Sequence, residues 1–124
     1  MIIVLFEVTI KKNDRNGYLA LAANLRNELV KSAGFIRSER FSSLVNEGKL
    51  LSLSVWESEE AVNNWRNQTE HRMNQRQGHD SMFESYTITI ASQLRSYSNV
   101  ERSGAPEDSN RLFGPSNCSL PDAR

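Results

Sequence analysis

The chain has 124 residues, with 15 Lys and Arg set against 15 Asp and Glu, so no global field draws it to nucleic acid or an anionic membrane, and neither is an expected partner. That length suits one hydrophobic core and not two, and its single cysteine, Cys118, excludes an internal disulfide or a zinc site built on several thiolates. The longest apolar stretch near the start is Met1 to Phe6, with no charged leader or cleavage site around it, so a cytoplasmic protein is expected.

Met1 to Ile10 alternates, placing Ile2, Val4, Phe6, Val8 and Ile10 on one face and Ile3, Leu5, Glu7 and Thr9 on the other. This predicts a strand with one fully apolar face. Tyr18, Leu21, Ala22, Leu25 and Leu29 then recur at spacings of three and four, which predicts a helix over roughly Gly17 to Ser32. Gly34 can take positive φ just past that helix, and Phe35 to Phe41 begins a second, charge-rich strand with Arg37, Glu39 and Arg40. The charges there suggest a cross-strand or intersubunit ion pair more than a substrate contact.

Asn46-Glu47-Gly48 is a hairpin signal, and Lys49 to Trp56 alternates again as a third strand. Ser58, Glu59 and Glu60 start a second helix: the hydroxyl caps free amides and the carboxylates sit at the positive end of the dipole. That helix carries Ala61, Val62 and Trp65 and extends, whole or broken, to Gln77, where Gly78 stops it. Phe83 to Leu94 alternates around Tyr86, Ile88 and Ile90 as the fourth strand. The order β-α-β-β-α-β predicts an α+β fold of the ferredoxin-like type, an antiparallel sheet with both helices on one face. The other face then leaves Ile3, Leu5 and their neighbours in water, so a homodimer packed sheet to sheet is expected. Residues 1–97 form this domain. Residues 98–124 turn to Ser, Gly, Pro and Asn, and Pro106, Pro115 and Pro121 are expected to break any regular element in this tail.

Gly34-Phe35-Ile36, Glu39-Arg40, the strand Leu51 to Trp56, Glu57-Ser58-Glu59-Glu60-Ala61 and Trp65-Arg66 together resemble the antibiotic biosynthesis monooxygenase family. His71, Gln75, Gly78, Phe83, Tyr86 and Arg95 to Tyr97 are similar to a bacterial subgroup of it. The resemblance spans Met1 to Tyr97 and implies a dimeric α+β barrel. Known activities in that family include cofactor-free oxygenation of polycyclic aromatic phenols and haem degradation, while many members have no assigned substrate.

For Trp65 the resemblance implies a pocket wall between helices and sheet, while its spacing from Ala61 equally fits core packing; the two are compatible. Trp56, ending a strand before a helix cap, reads as structural. His71 has an imidazole that titrates near working pH and so is a candidate general base for a phenol, or else a solvated helix-end histidine. His79, in a loop, is a weaker candidate. Glu7 is either a buried acid with a proton-transfer role or an interface residue paired with an arginine. Tyr86 either packs or hydrogen-bonds a ligand. Nothing around Cys118 suggests an activated thiolate. The haem-degrading relatives carry a histidine ligand ten residues after the tryptophan and an asparagine on the first strand. Here the first position is Gln75 and the strand has no asparagine, so that activity ranks third.

No flavin, nicotinamide or phosphate-loop motif and no metal triad is present in the sequence, so no cofactor is expected. The expected function is a cofactor-independent monooxygenase acting on a planar phenol or enol with dioxygen, with His71 as base and Trp65, Tyr86 and Glu7 at the substrate. The alternative is a non-catalytic or ligand-sensing dimer on the same fold.

Overall fold

The computed structural model of the chain describes residues 1–11, 15–77 and 83–113. Gly78, His79 and Cys118 lie outside them, as do the side chains of Leu21, Leu25 and Gln75. Met1–Ser92 and Gln93–Arg124 form two separate units.

The first unit runs β1 (Ile2–Ile10), α1 (Arg15–Leu29), β2 (Phe35–Ser42), β3 (Lys49–Trp56), α2 (Glu59–Gln77) and β4 (Phe83–Ser92). The strands form one sheet in the order β2-β3-β1-β4, with every neighbouring pair antiparallel. This is the expected ferredoxin-like α+β arrangement. Because side chains alternate along a strand, the register sorts residues onto two faces. Val4, Phe6 and Val8 stand opposite Ser54, Ser52 and Leu50 on β3 and Ile90, Ile88 and Tyr86 on β4.

Both helices pack on that face, in two clusters. Tyr18 of α1 joins Val8 and Ile10, with Phe6, Ala22 and Leu50 against them. Leu29 of α1 and Val62 of α2 join Val4 and Trp56, with Phe35, Trp65 and Ile88 at the edge. Trp56 is fully buried, and its indole N–H donates to Ser54 Oγ at 2.9 Å, giving the buried donor the partner it needs. The opposite face carries Ile3, Leu5, Leu51, Leu53 and Val55, with Phe41 beside Leu51. A groove of about 430 Å³ runs there between Leu5, Glu7, Phe41, Lys49 and Leu51.

Local signals account for the helix ends. Gly34 has φ of 84°, and its carbonyl accepts from the Glu57 N–H at 2.8 Å, which ties the turn after α1 to the start of α2. Ser58 Oγ accepts from the Ala61 N–H at 3.2 Å, an N-cap bond, and Glu59 and Glu60 occupy the first turn. From there α2 runs without interruption to Gln77.

The second unit corrects one expectation. Pro106 does not abolish regular structure: α3 (Glu107–Phe113) begins directly after it, and the Asn110 N–H donates to the Pro106 carbonyl at 3.0 Å. Proline lacks only an amide that a helix start leaves unpaired anyway, and its φ is already helical, so at this position it starts a helix. Arg102 holds the unit together, donating to Asn110 Oδ1 at 3.2 Å and Ser109 Oγ at 2.5 Å and lying 5.3 Å from the Tyr97 ring centre. No helix among the described residues is long and apolar enough to cross a membrane.

Candidate active site

Between the sheet and the two helices lies a cavity of about 70 Å³. Its walls draw on both core clusters: Phe6 and Ile88 from the sheet, Tyr18, Ala22 and Leu29 from α1, Trp65 from α2. The polar lining is Ser38, Arg40 and Ser52 from β2 and β3, Arg26 from α1, and Arg66 and Thr69 from α2. Arg40 pairs in register with Ser52, and Ser52 with Phe6, so the strand register delivers these three to one patch of the helix-covered face.

Trp65 takes the wall position that the family resemblance implies. Its ring also packs 5.4 Å from that of Trp56, so wall and packing roles coexist. His71 is not brought to the cavity. Because α2 is unbroken from Trp65 onward, six residues carry His71 about 120° around the helix from Trp65, and its side chain is exposed.

Glu7 also stands apart from Trp65. It projects from the opposite face of the sheet and pairs with Lys49 of the same chain at 3.2 Å, not with an arginine. Tyr86 sits on the helix-covered face beside Phe6, ring centres 5.6 Å apart, but half-exposed and outside the cavity wall. The expectation of an ion pair in β2 is corrected within the chain: among the described residues none of Arg37, Glu39 and Arg40 forms one. Alternation separates them, sending Arg37 and Glu39 to the open face and Arg40 to the cavity.

The site residues that sequence reasoning missed are Tyr18, Arg26, Arg40, Arg66 and Thr69. Arg26 and Arg66 could have been found, since each lies one helical turn after an expected face residue, Ala22 and Val62. Arg66 Nη1 is held by Glu70 Oε1 at 2.7 Å, an i,i+4 pair, and Arg26 Nη1 donates to Ser38 Oγ at 2.8 Å. Burial pushes the Tyr18 phenol above its ordinary value of 10.0, and the Arg40 charge pulls partly against that. Tyr18 is therefore neutral near pH 7 and able to donate its proton in a hydrogen bond. Among the described residues the wall contains no carboxylate, no histidine, and no cluster of groups able to hold a metal ion.

Residues 1–77 match the family described as antibiotic biosynthesis monooxygenase. Jasmonate monooxygenase ABM of Pyricularia oryzae is 37% identical over 90 residues, covering 73% of this chain and 42% of its own length, so the chain spans less than half of that relative. YqjZ of Bacillus subtilis, an uncharacterized protein, is 30% identical over 83 residues, covering 67% of this chain and 71% of its own. Among solved structures, SnoaB from Streptomyces nogalater, a cofactor-independent oxygenase, superposes with a TM-score of 0.62 at 11% identity, covering 77% of this chain and 94% of that one. A conserved protein from Methanosarcina mazei superposes at 0.63 with 18% identity, covering 74% and 91%. At such identities the superpositions show the fold alone. The family match over residues 1–77, more than half of the chain, and the relative at 30% identity show that the chain belongs to the antibiotic biosynthesis monooxygenase family.

Proposed function

We propose that the chain is a cofactor-independent monooxygenase for a planar phenol or enol, working as a homodimer through its open sheet face. The observation that carries this is a cavity with aromatic and aliphatic walls, Phe6, Tyr18, Trp65 and Ile88, whose charged lining is entirely cationic among the described residues. An opposite charge within ~4–6 Å lowers an acid's pKa by roughly 1–3 units. Arginines around an acidic phenol or enol therefore favour its anion without a dedicated base, and the Tyr18 hydroxyl can donate to the oxyanion. The electron-rich anion reacts with dioxygen at carbon. One oxygen atom stays on that carbon as a carbonyl and the other leaves as water with the two hydrogens the substrate loses. The protein's part is shape, exclusion of water and electrostatic stabilisation of the anion. The family membership and the monooxygenase name of the Pyricularia relative support an activity of this type.

The cavity volume favours a second reading. About 70 Å³ is well below the ~300 Å³ at which small-molecule pockets begin, so a polycyclic substrate needs the wall to open. A dimer that senses a smaller ligand needs less. Dioxygen consumption with a panel of anthrone-like and naphthol-like phenols, in chelator-treated buffer without flavin, separates the two. The oxygenase reading expects turnover, weaker substrate binding in Trp65→Phe, and His71→Ala within about twofold of wild type, since a lost general base costs ~10²- to 10⁴-fold. A panel that binds without consuming oxygen supports the sensor instead.

A further inference from the structure

Among the described residues, two cationic side chains of the cavity, Arg26 and Arg40, pair with no carboxylate. Arg26 Nη1 is hydrogen-bonded to Ser38 Oγ at 2.8 Å, and Ser38 is two residues from Arg40 on the same face of β2. Same-face neighbours on a strand are about 7 Å apart, so α1 delivers one guanidinium to the strand position next to the other. Arg66 differs, because Glu70 compensates it. Arg26 also lies in the last turn of α1, where the dipole favours a cation, but Arg40 has no such support. Among the described residues no carboxylate pairs with either. Both side chains are exposed, so water screens their repulsion, and an anion seated between them would replace that water and be held by both charges. Their hydrogen-bonding forks match a carboxylate in particular.

We infer that the substrate of this cavity carries a carboxylate, which sits between Arg26 and Arg40 while the apolar body lies against Phe6, Trp65 and Ile88. The inference rests on the reading of the cavity as a ligand site and narrows its substrate class to a hydroxy-aromatic or enolic carboxylic acid. The two uncompensated positive charges match that class in number: one for the carboxylate, one for the oxyanion formed when the phenol or enol ionises. A neutral phenol leaves one arginine unanswered.

The test is calorimetric titration of the whole chain with a hydroxynaphthoate and with its methyl ester, which has the same rings and hydroxyl but no charge. The acid is expected to bind roughly ten- to a hundredfold more tightly than the ester, the range of a charge-assisted hydrogen bond. Arg40→Gln and, independently, Arg26→Gln should each remove most of that preference while changing ester affinity less than about threefold. Lys11→Gln, the same charge change at an exposed site beyond β1, should leave both affinities unchanged. Raising salt should weaken the acid and not the ester. Equal binding of acid and ester, or a preference that survives both arginine variants, overturns the inference and leaves the ligand cavity standing. If neither compound binds, the inference is overturned as well, and oxygen consumption with uncharged phenols then decides the oxygenase reading by itself.

Discussion

Gly34→Ala is expected to be among the most damaging single-methyl additions to this chain, for two separable reasons. The residue has φ of 84°, a left-handed conformation that costs an L-residue about 1–2 kcal/mol. A Cβ built there falls 2.6 Å from the Ala61 Cβ, closer than such atoms approach, and overpacking of this kind costs about 1–3 kcal/mol. Reduced freedom of the unfolded chain returns about 0.4–1 kcal/mol. The net loss is about 1–5 kcal/mol, or roughly 5–30 °C in Tm for a domain of this size. Thermal and urea unfolding followed by circular dichroism read both quantities. The second reason can be isolated with Ala61→Gly, which removes the clashing methyl but costs about 1 kcal/mol as a helical glycine in the wild-type background. In the Gly34→Ala background it should be neutral or stabilising, a coupling of about 1–2 kcal/mol. Gly34→Ala within about 0.5 kcal/mol of wild type refutes the conformational argument, and strict additivity of the pair refutes the contact. Trp65 lies one helical turn beyond Ala61, so the single variant should also weaken ligand binding.

Two further outcomes follow from the sheet and from Tyr18. The apolar open face leads us to expect sedimentation at about twice the 14.1 kDa of one chain, and Leu5→Asp should shift the molecule toward monomer, since an unpaired charge in a dry interface costs several kcal/mol. A wild-type monomer at micromolar concentration refutes the interface. Tyr18 is a phenol whose folded pKa is raised chiefly by burial, with Arg40 opposing, so the unfolded state ionises first. Its contribution is fully present below the unfolded value near 10 and is lost as pH rises from there through the raised folded value. Urea midpoints should therefore fall between about pH 9 and about pH 11 more steeply in wild type than in Tyr18→Phe. Identical slopes overturn the burial argument.

Alternation and capping residues made most of the fold legible. The apolar period of two in Ile2 to Ile10 and Lys49 to Trp56, the Ser58-Glu59-Glu60 cap and the glycine at position 34 are local signals, and each appears where it points. The expected first helix, roughly Gly17 to Ser32, differs from Arg15–Leu29 by two or three residues, as helix ends do when turn bonds such as Ser32 Oγ to the Glu28 carbonyl take over. Pro106 is ambiguous in sequence because its effect depends on position: proline breaks a helix interior but favours a first turn.

The candidate site divides differently. Trp65 was legible because helical spacing and family resemblance both mark a residue facing the sheet. His71 is a candidate on its chemistry, and a side chain's chemistry does not say which way an unbroken helix turns it. Arg40 looked like one member of a charge-rich strand, and only pairing with β3 reveals that it shares a face with Ser52 and Phe6 while Arg37 and Glu39 do not.

Element order, the alternation of β1 and β3 and the sheet-facing stripes of the helices are thus set by the sequence alone, because a period of 2 or 3.6 is a property of neighbours along the chain, whereas the faces of β2 depend on a register shift between Phe35 and Arg37. Only the tertiary structure decided that Arg26, Ser38 and Arg40 meet beside Trp65, and that Glu7 and His71 do not join them. Those juxtapositions depend on strand register and on how far α1 carries its last turn across β2, quantities fixed by packing between residues far apart in the chain.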